Sequence, residues 1–142
     1  MQYPHLLALW RYLTGDQGIK SFLALASNAT DAQKMAKFAL EKDLDTPLSS
    51  TTIPLFKIYP DDGMVTNYIQ EKEFFIVECY HGTLRQAMQG MDLVTKLLDN
   101  EYLPGYPKGW EITLMWQGGP ISTGVMGVKG FRIKLSQLVQ KS

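Results

Sequence analysis

Cysteine is almost absent from this sequence: 142 residues contain one, Cys79. A single thiol cannot form an intramolecular disulfide, and it excludes zinc sites built from several cysteines. Such a chain suits a reducing compartment. No stretch approaches the ~20 apolar residues of a transmembrane helix, and the N-terminus has neither a basic leader nor a small-residue cleavage site. We therefore predict no membrane span and no signal peptide.

An excess of charge of either sign is also missing, because Lys+Arg and Asp+Glu each number 14. Proteins dedicated to nucleic acids or anionic membranes carry a basic surplus. We therefore predict no membrane partner and no sequence-specific nucleic-acid partner. The apolar fraction of 45% and the charged fraction of 20% are ordinary for globular proteins. The length fits one domain, which we place at residues 1–142.

Helical periodicity is present in three places. The segment "YPHLLALWRYLTGD" has helical spacing, with Pro4 in the first turn and Gly15 as a stop. A second helix is predicted at 30–43, where Thr30 and Gln33 have capping-box spacing and an alanine-rich stripe favours packing within the chain. The clearest helix follows Thr83, and Pro104 bars its continuation.

Strand patterns fill the rest of the chain. We predict strands in "IPLFKIYP", "KEFFIVECYHG", "WEITLMW" and "FRIKLSQL", with a loop at "DDGMVTN" because Asp-Gly favours a turn. "KEFFIVECYHG" is apolar on both faces, which is typical of a central strand. The predicted order is α-α-β-β-α-β-β. It indicates an α+β fold with a single, mainly antiparallel four-stranded sheet and two to three helices packed on it.

A glycine-rich stretch, "QGGPISTGVMGVKG", spans 117–130 and resembles a phosphate-binding loop only in part. Gly119 and Gly124 have the separation of a P-loop, but Val125 and Met126 occupy the Lys and Ser/Thr positions, and a strand follows instead of a helix. We therefore interpret 117–130 as a flexible hairpin loop. Its apolar residues would otherwise face water, so we predict contacts with a partner. The candidate contacts, including two from the 60–71 loop, are Ile121, Val125, Met126, Val128, Met64 and Val65.

No catalytic, cofactor or metal site is predicted. Cys79 and His81 lie two residues apart on one strand, where side chains run parallel and do not converge, and a third orienting group is missing. An enzyme that uses Cys79 or His81 is therefore a minor alternative. The histidines, the thiol and the Asp61–Asp62 pair lack metal-ligand spacing, and "YPDDG" lacks the acidic alternation of a calcium loop.

The order of these elements resembles a known family. A leading helix "LLALWRYL" is followed by the strand pattern P-x-F-x-I-Y-P at 54–60. Then "FFIVECYHGTLRQAMQGMDLVTKLLDN" runs from a central strand into a helix, and "GFRIKLSQL" closes the chain. This arrangement, over roughly 50 to 138, is similar to that of the small tail-terminator and head–tail joining proteins of long-tailed phages and prophages. No functional motif transfers from that family to individual residues.

The resemblance implies a non-enzymatic virion assembly protein, made in the bacterial host cytoplasm. It would form a homo-oligomeric, hexameric ring that caps the tail tube, joins the tail to the head connector, or does both. Its expected partners are therefore copies of itself, the tail tube protein and the head–tail connector protein. The alternative is a small ligand-binding or regulatory module of ferredoxin-like character.

Overall fold

The computed structural model describes residues 3–66, 70–99, 101–102 and 111–140. Within these ranges, it describes only the backbone of residues 62–66, 70–71, 101–102, 111, 115–117 and 139–140. The helices are α1 (Tyr3–Thr14), α2 (Gln17–Phe22), α3 (Asp31–Lys37) and α4 (Leu84–Leu98). The strands are β1 (Phe38–Ala39), β2 (Leu55–Thr66), β3 (Gln70–His81), β4 (Glu101–Tyr102), β5 (Glu111–Ile121) and β6 (Lys129–Gln140).

The strands form one mixed sheet in the order β1-β2-β3-β6-β5-β4. β1 runs parallel to β2, and every other neighbouring pair is antiparallel. The α+β class predicted from the sequence is confirmed. The prediction of a four-stranded, mainly antiparallel sheet is wrong. A strand of two residues extends the sheet at each edge, and one of these two strands, β1, pairs in parallel.

The helices begin where the sequence places their caps. Thr30 and Gln33 form a complete capping box in front of α3. At α4 the Thr83 side chain accepts a bond from the Gln86 backbone N–H. The helix predicted at 30–43 ends at Lys37, because Phe38 adopts an extended conformation and enters β1.

Residues 61–66 of the Asp-Gly stretch that predicted a loop lie inside β2, and Asn67 lies outside the described residues. Pro60 pairs with Phe75 and Met64 pairs with Glu73, so residues 61–63 bulge opposite Phe74. The backbone of the predicted contacts Met64 and Val65 therefore belongs to a paired strand, while their side chains lie outside the described residues. An Asp-Gly pair relaxes the backbone at a bulge as well as at a turn, which explains the wrong prediction.

The main core lies between one face of the sheet and α1, α2 and α4. Alternate residues of the central strands, among them Phe56, Phe75, Val77 and Ile133, pack against apolar residues of these helices. The Trp10 indole N–H also donates to the carbonyl of Phe38 at 2.7 Å, which ties α1 to β1. We name the opposite side the helix-free face, because its apolar cluster of Leu55, Tyr80 and Val128 contains no helical residue.

Candidate functional site

The connection between β5 and β6 is shorter than the loop predicted at 117–130. Residues 117–121 lie in β5 and 129–130 lie in β6, which leaves 122–128 as the turn. Gly118 has a φ of +77°, and a Cβ placed there would lie 1.7 Å from the carbonyl oxygen of Arg132. Gly118 therefore serves the close approach of two strands and not the binding of a phosphate.

The turn at 122–128 is braced from within. The Thr123 hydroxyl donates to the carbonyl of Val128 at 2.8 Å and accepts from the N–H of Val125 at 3.1 Å. The Val128 N–H donates in turn to the carbonyl of Val125 at 3.2 Å. These bonds give the turn a defined shape; the flexibility inferred from its glycines stays a prediction.

The structure distinguishes the four contacts predicted in the glycine-rich stretch, of which Ile121 ends β5 and the other three lie in the turn. Val128 is 1% exposed, so this chain already covers it. Ile121 and Val125 are half-buried against the same cluster. Met126 is 94% exposed at the tip of the turn. Of the predicted contacts whose side chains are described, Met126 is therefore the one fully presented to a partner.

An open apolar groove of about 570 Å³ lies beside α3. Ala32, Met35 and Ala36 form one wall, and Leu44 and Leu55 form another. None of the residues of α3 is buried. The expectation that the alanine-rich stripe packs within the chain holds for Ala39, which is buried, and for Leu40, which packs against the core. It is wrong for the part of the stripe on α3, where Ala32, Met35 and Ala36 are exposed and line this groove.

The helix-free face carries a buried polar network that the sequence analysis missed. Across β2 and β3, Lys57 pairs in register with Glu78. One carboxylate oxygen of Glu78 accepts the hydroxyl of Tyr59, and the other accepts the hydroxyl of Tyr80. The Lys57 ammonium lies 3.4 Å from Glu78 and donates to the carbonyl of Lys42 at 2.7 Å. Each of the four side chains in this network therefore has at least one polar partner.

The electrostatics of the network favour a structural role. Burial, and then the neighbouring Glu78 carboxylate, raise the pKa of Tyr59 and of Tyr80 above its ordinary value. Both phenols therefore remain hydroxyl donors and are poorly suited to act as bases at neutral pH. The sequence signal for the network was the alternation of Lys57 and Tyr59 on one strand and Glu78 and Tyr80 on the next. That signal becomes informative only once the register is known.

Cys79 and His81 do not form a nucleophile and base. The Cys79 side chain is fully buried under the helices, and burial raises the pKa of its thiol far above the ordinary value. Burial lowers the pKa of His81, whose Nδ1 accepts the N–H of Gly82 at 2.7 Å. A thiol held in its protonated form is a poor nucleophile, so this arrangement lacks the activation that covalent catalysis requires.

A second buried acid lies at the other end of the sheet. Glu73 is 1% exposed, and its carboxylate lies 3.0 Å from Nδ1 of His5 in α1. Gln137, its register partner on β6, has no hydrogen-bond partner for its buried amide among the described residues. Within the same part of the chain, no group of three or more His, Cys, Asp or Glu side chains is arranged to hold a metal ion.

Among the described residues, no helix combines the length and the apolar character needed to cross a membrane. Comparison of the chain with models of known protein families and with curated protein sequences found no significant match.

Proposed function

We propose that this protein is a non-enzymatic assembly subunit of a phage or prophage tail. It acts as a ring of identical subunits that caps the tail tube, joins the tail to the head connector, or does both. The order of elements along the chain resembles the tail-terminator and head–tail joining proteins, and that resemblance supplies the class. Met126, exposed at the tip of a braced turn, is the observation that supports action through protein contacts.

An exposed methionine on a turn that holds its own shape has a physical cost, since the apolar side chain stays in water. Burial in a neighbouring subunit removes that cost, and the braced turn loses little conformational entropy on docking. A ring requires two different surfaces on each subunit, one that inserts and one that receives. Met126 supplies the first, and the apolar groove beside α3 supplies the second.

The oligomeric state tests the self-association. We expect the purified chain to have a mass close to six subunits by light scattering coupled to size exclusion. Met126→Ser should shift that mass toward the monomer. Met88→Ser is the matched control, since Met88 is a 43% exposed methionine on α4, away from the turn, and it should leave the ring intact. A wild-type chain that stays monomeric at high concentration contradicts the proposal.

The assembly role has its own test. The tail tube protein of the same phage or prophage, polymerised with and without this chain, should give shorter tubes with one blunt, decorated end in negative-stain electron microscopy. Met126→Ser should restore the tube length. If the chain forms a ring but the tubes keep their length and have bare ends, the capping role is contradicted and self-association is not.

A further inference from the structure

A polar cavity of about 430 Å³ opens on the helix-free face, where β2, β3 and β6 run side by side. Ile76 and Pro60 contribute apolar parts of its lining, and Tyr59 contributes a polar part. The volume falls within the range of small-ligand sites. The cavity is separate from both the Met126 turn and the apolar groove, because it shares no lining residue with either.

Positive charge predominates around this cavity. Lys42, Arg132 and Lys134 line it, whereas Asp61 is the one acid among the described residues of the lining. Lys134 lies 2.5 Å from the Asp61 carboxylate. Behind the lining, Glu78 is matched by Lys57. The described residues of the lining therefore carry three positive charges and one negative charge, a surplus of two, although the whole chain has a formal charge of zero.

Two of these cationic residues, Lys42 and Arg132, have exposed side chains. The Lys57 ammonium bonds the carbonyl of Lys42, which anchors that residue at the edge of the sheet and leaves its own side chain exposed. Arg132 is exposed on β6 and pairs across the strands with Gly119. A Cβ at Gly119 would meet nothing within 4 Å, so the space beside Arg132 is open. A guanidinium has five donors, and a ligand can therefore share it with contacts inside the chain.

We propose that this cavity binds a phosphate group, independently of the assembly role. A phosphate monoester with two negative charges, or two neighbouring phosphodiesters of a nucleic-acid backbone, matches the surplus of two, whereas a single carboxylate leaves half of it unbalanced. Arginine offers paired donors to phosphate oxygens, and lysines add point charges. The rings of Tyr59 and Tyr80 are buried and their hydroxyls bond Glu78, so no aromatic ring of this network can stack on a base. The cavity therefore recognises the phosphate group and does not read a base sequence.

The test measures the full chain against two phosphate sources at low ionic strength. Inorganic phosphate is titrated while backbone amide shifts are followed by NMR, and a labelled 20-base-pair DNA duplex is titrated by fluorescence anisotropy. We expect Arg132→Gln and Lys42→Gln each to weaken the binding at least fivefold. Arg85→Gln is the matched control, because Arg85 is exposed on α4 and loses the same charge. Its binding should stay within twofold of the wild type.

The two titrations distinguish the sources. Binding of inorganic phosphate alone, with shifts at Lys42 and Arg132, supports a site for a small phosphate; duplex binding with the same dependence on the variants supports contact with a phosphodiester backbone. Equal weakening by Arg85→Gln, or no binding of either probe at millimolar concentration, overturns the proposal. The proposal is also overturned if phosphate does not bind while a poly-glutamate peptide does, and Arg132→Gln weakens the binding of that peptide.

Discussion

At the scale of single residues, Glu78 has an unusual position for a charged side chain. It is 6% exposed, yet it lies on the helix-free face, away from the core that α1, α2 and α4 cover. Two tyrosine hydroxyls and one ammonium take the place of water around it. A buried carboxylate is tolerable only when it is paired and hydrogen-bonded in this way. The polar network therefore lets strand β3 be central in a sheet with helices on one side.

Removing the charge of Glu78 should destabilise the protein. In Glu78→Gln the Lys57 ammonium, in a side chain that is 11% exposed, loses its carboxylate partner. Loss of one partner from a buried ion pair costs about 3–5 kcal/mol. We expect a decrease of that order in the free energy of unfolding, measured by urea denaturation at neutral pH.

A double variant provides the control. Lys57→Met combined with Glu78→Gln removes both charges, and we expect it to recover much of the lost stability, because no uncompensated charge remains. If the single variant unfolds at the urea concentration of the wild type, the carboxylate is not holding the two strands together and this interpretation fails.

At the scale of elements, α4 and β3 approach each other closely at one point. A Cβ at Gly90 would lie 2.6 Å from the Cys79 sulfur and 2.8 Å from the Phe22 ring. Alanine favours a helix over glycine by up to about 1 kcal/mol, but the added methyl group has no space. The contact between helix and strand therefore depends on the absence of a side chain at Gly90.

Gly90→Ala should lower the free energy of unfolding by about 1–3 kcal/mol, the usual cost of overpacking a core. Gln89→Ala, one residue earlier on the exposed side of α4, is the control and should leave stability unchanged or slightly higher. Adding Cys79→Ala to Gly90→Ala removes the closest atom and should restore part of the loss. Thermal unfolding of the four proteins measures these differences, and a Gly90→Ala protein as stable as the wild type would contradict the close approach.

The elements differ in how far the sequence could predict them. α1 and α4 have long apolar periodicities and clear ends, so their positions were predicted closely. β1 is two residues long, at the end of an alanine-rich helical pattern, and its residues pair with residues 18 positions later in the chain. Local patterns carry no information of that kind. The cavity on the helix-free face joins Tyr59 of β2 and Arg132 of β6, which only the strand register brings together, with Lys42 from the connection after β1.

At the scale of the whole molecule, the apolar features are distributed unevenly. One side of the sheet is closed by helices, while the groove beside α3 and the tip at Met126 remain open to solvent. A monomer that works alone has little use for both features, because each leaves apolar surface in water. In the proposed ring, the groove of one subunit would cover the Met126 tip of the next.

A charge in the groove should therefore act like a change at the tip. Ala36 lines the groove on an exposed side of α3, and glutamate is a good helix former. Ala36→Glu should leave the fold intact and shift the mass measured by light scattering toward the monomer, as Met126→Ser does. Ala26→Glu introduces the same charge outside the groove and should not. A ring that survives Ala36→Glu would show that another surface receives Met126.

The burial of Cys79 has a practical consequence for labelling chemistry. The one thiol of the chain is enclosed by the core and is held in its unreactive, protonated form. A cysteine introduced at Met126 would therefore be the single site open to a maleimide dye or a bifunctional cross-linker. The wild-type thiol, in contrast, becomes accessible only when the core around it opens, so its rate of alkylation reports how often that opening occurs.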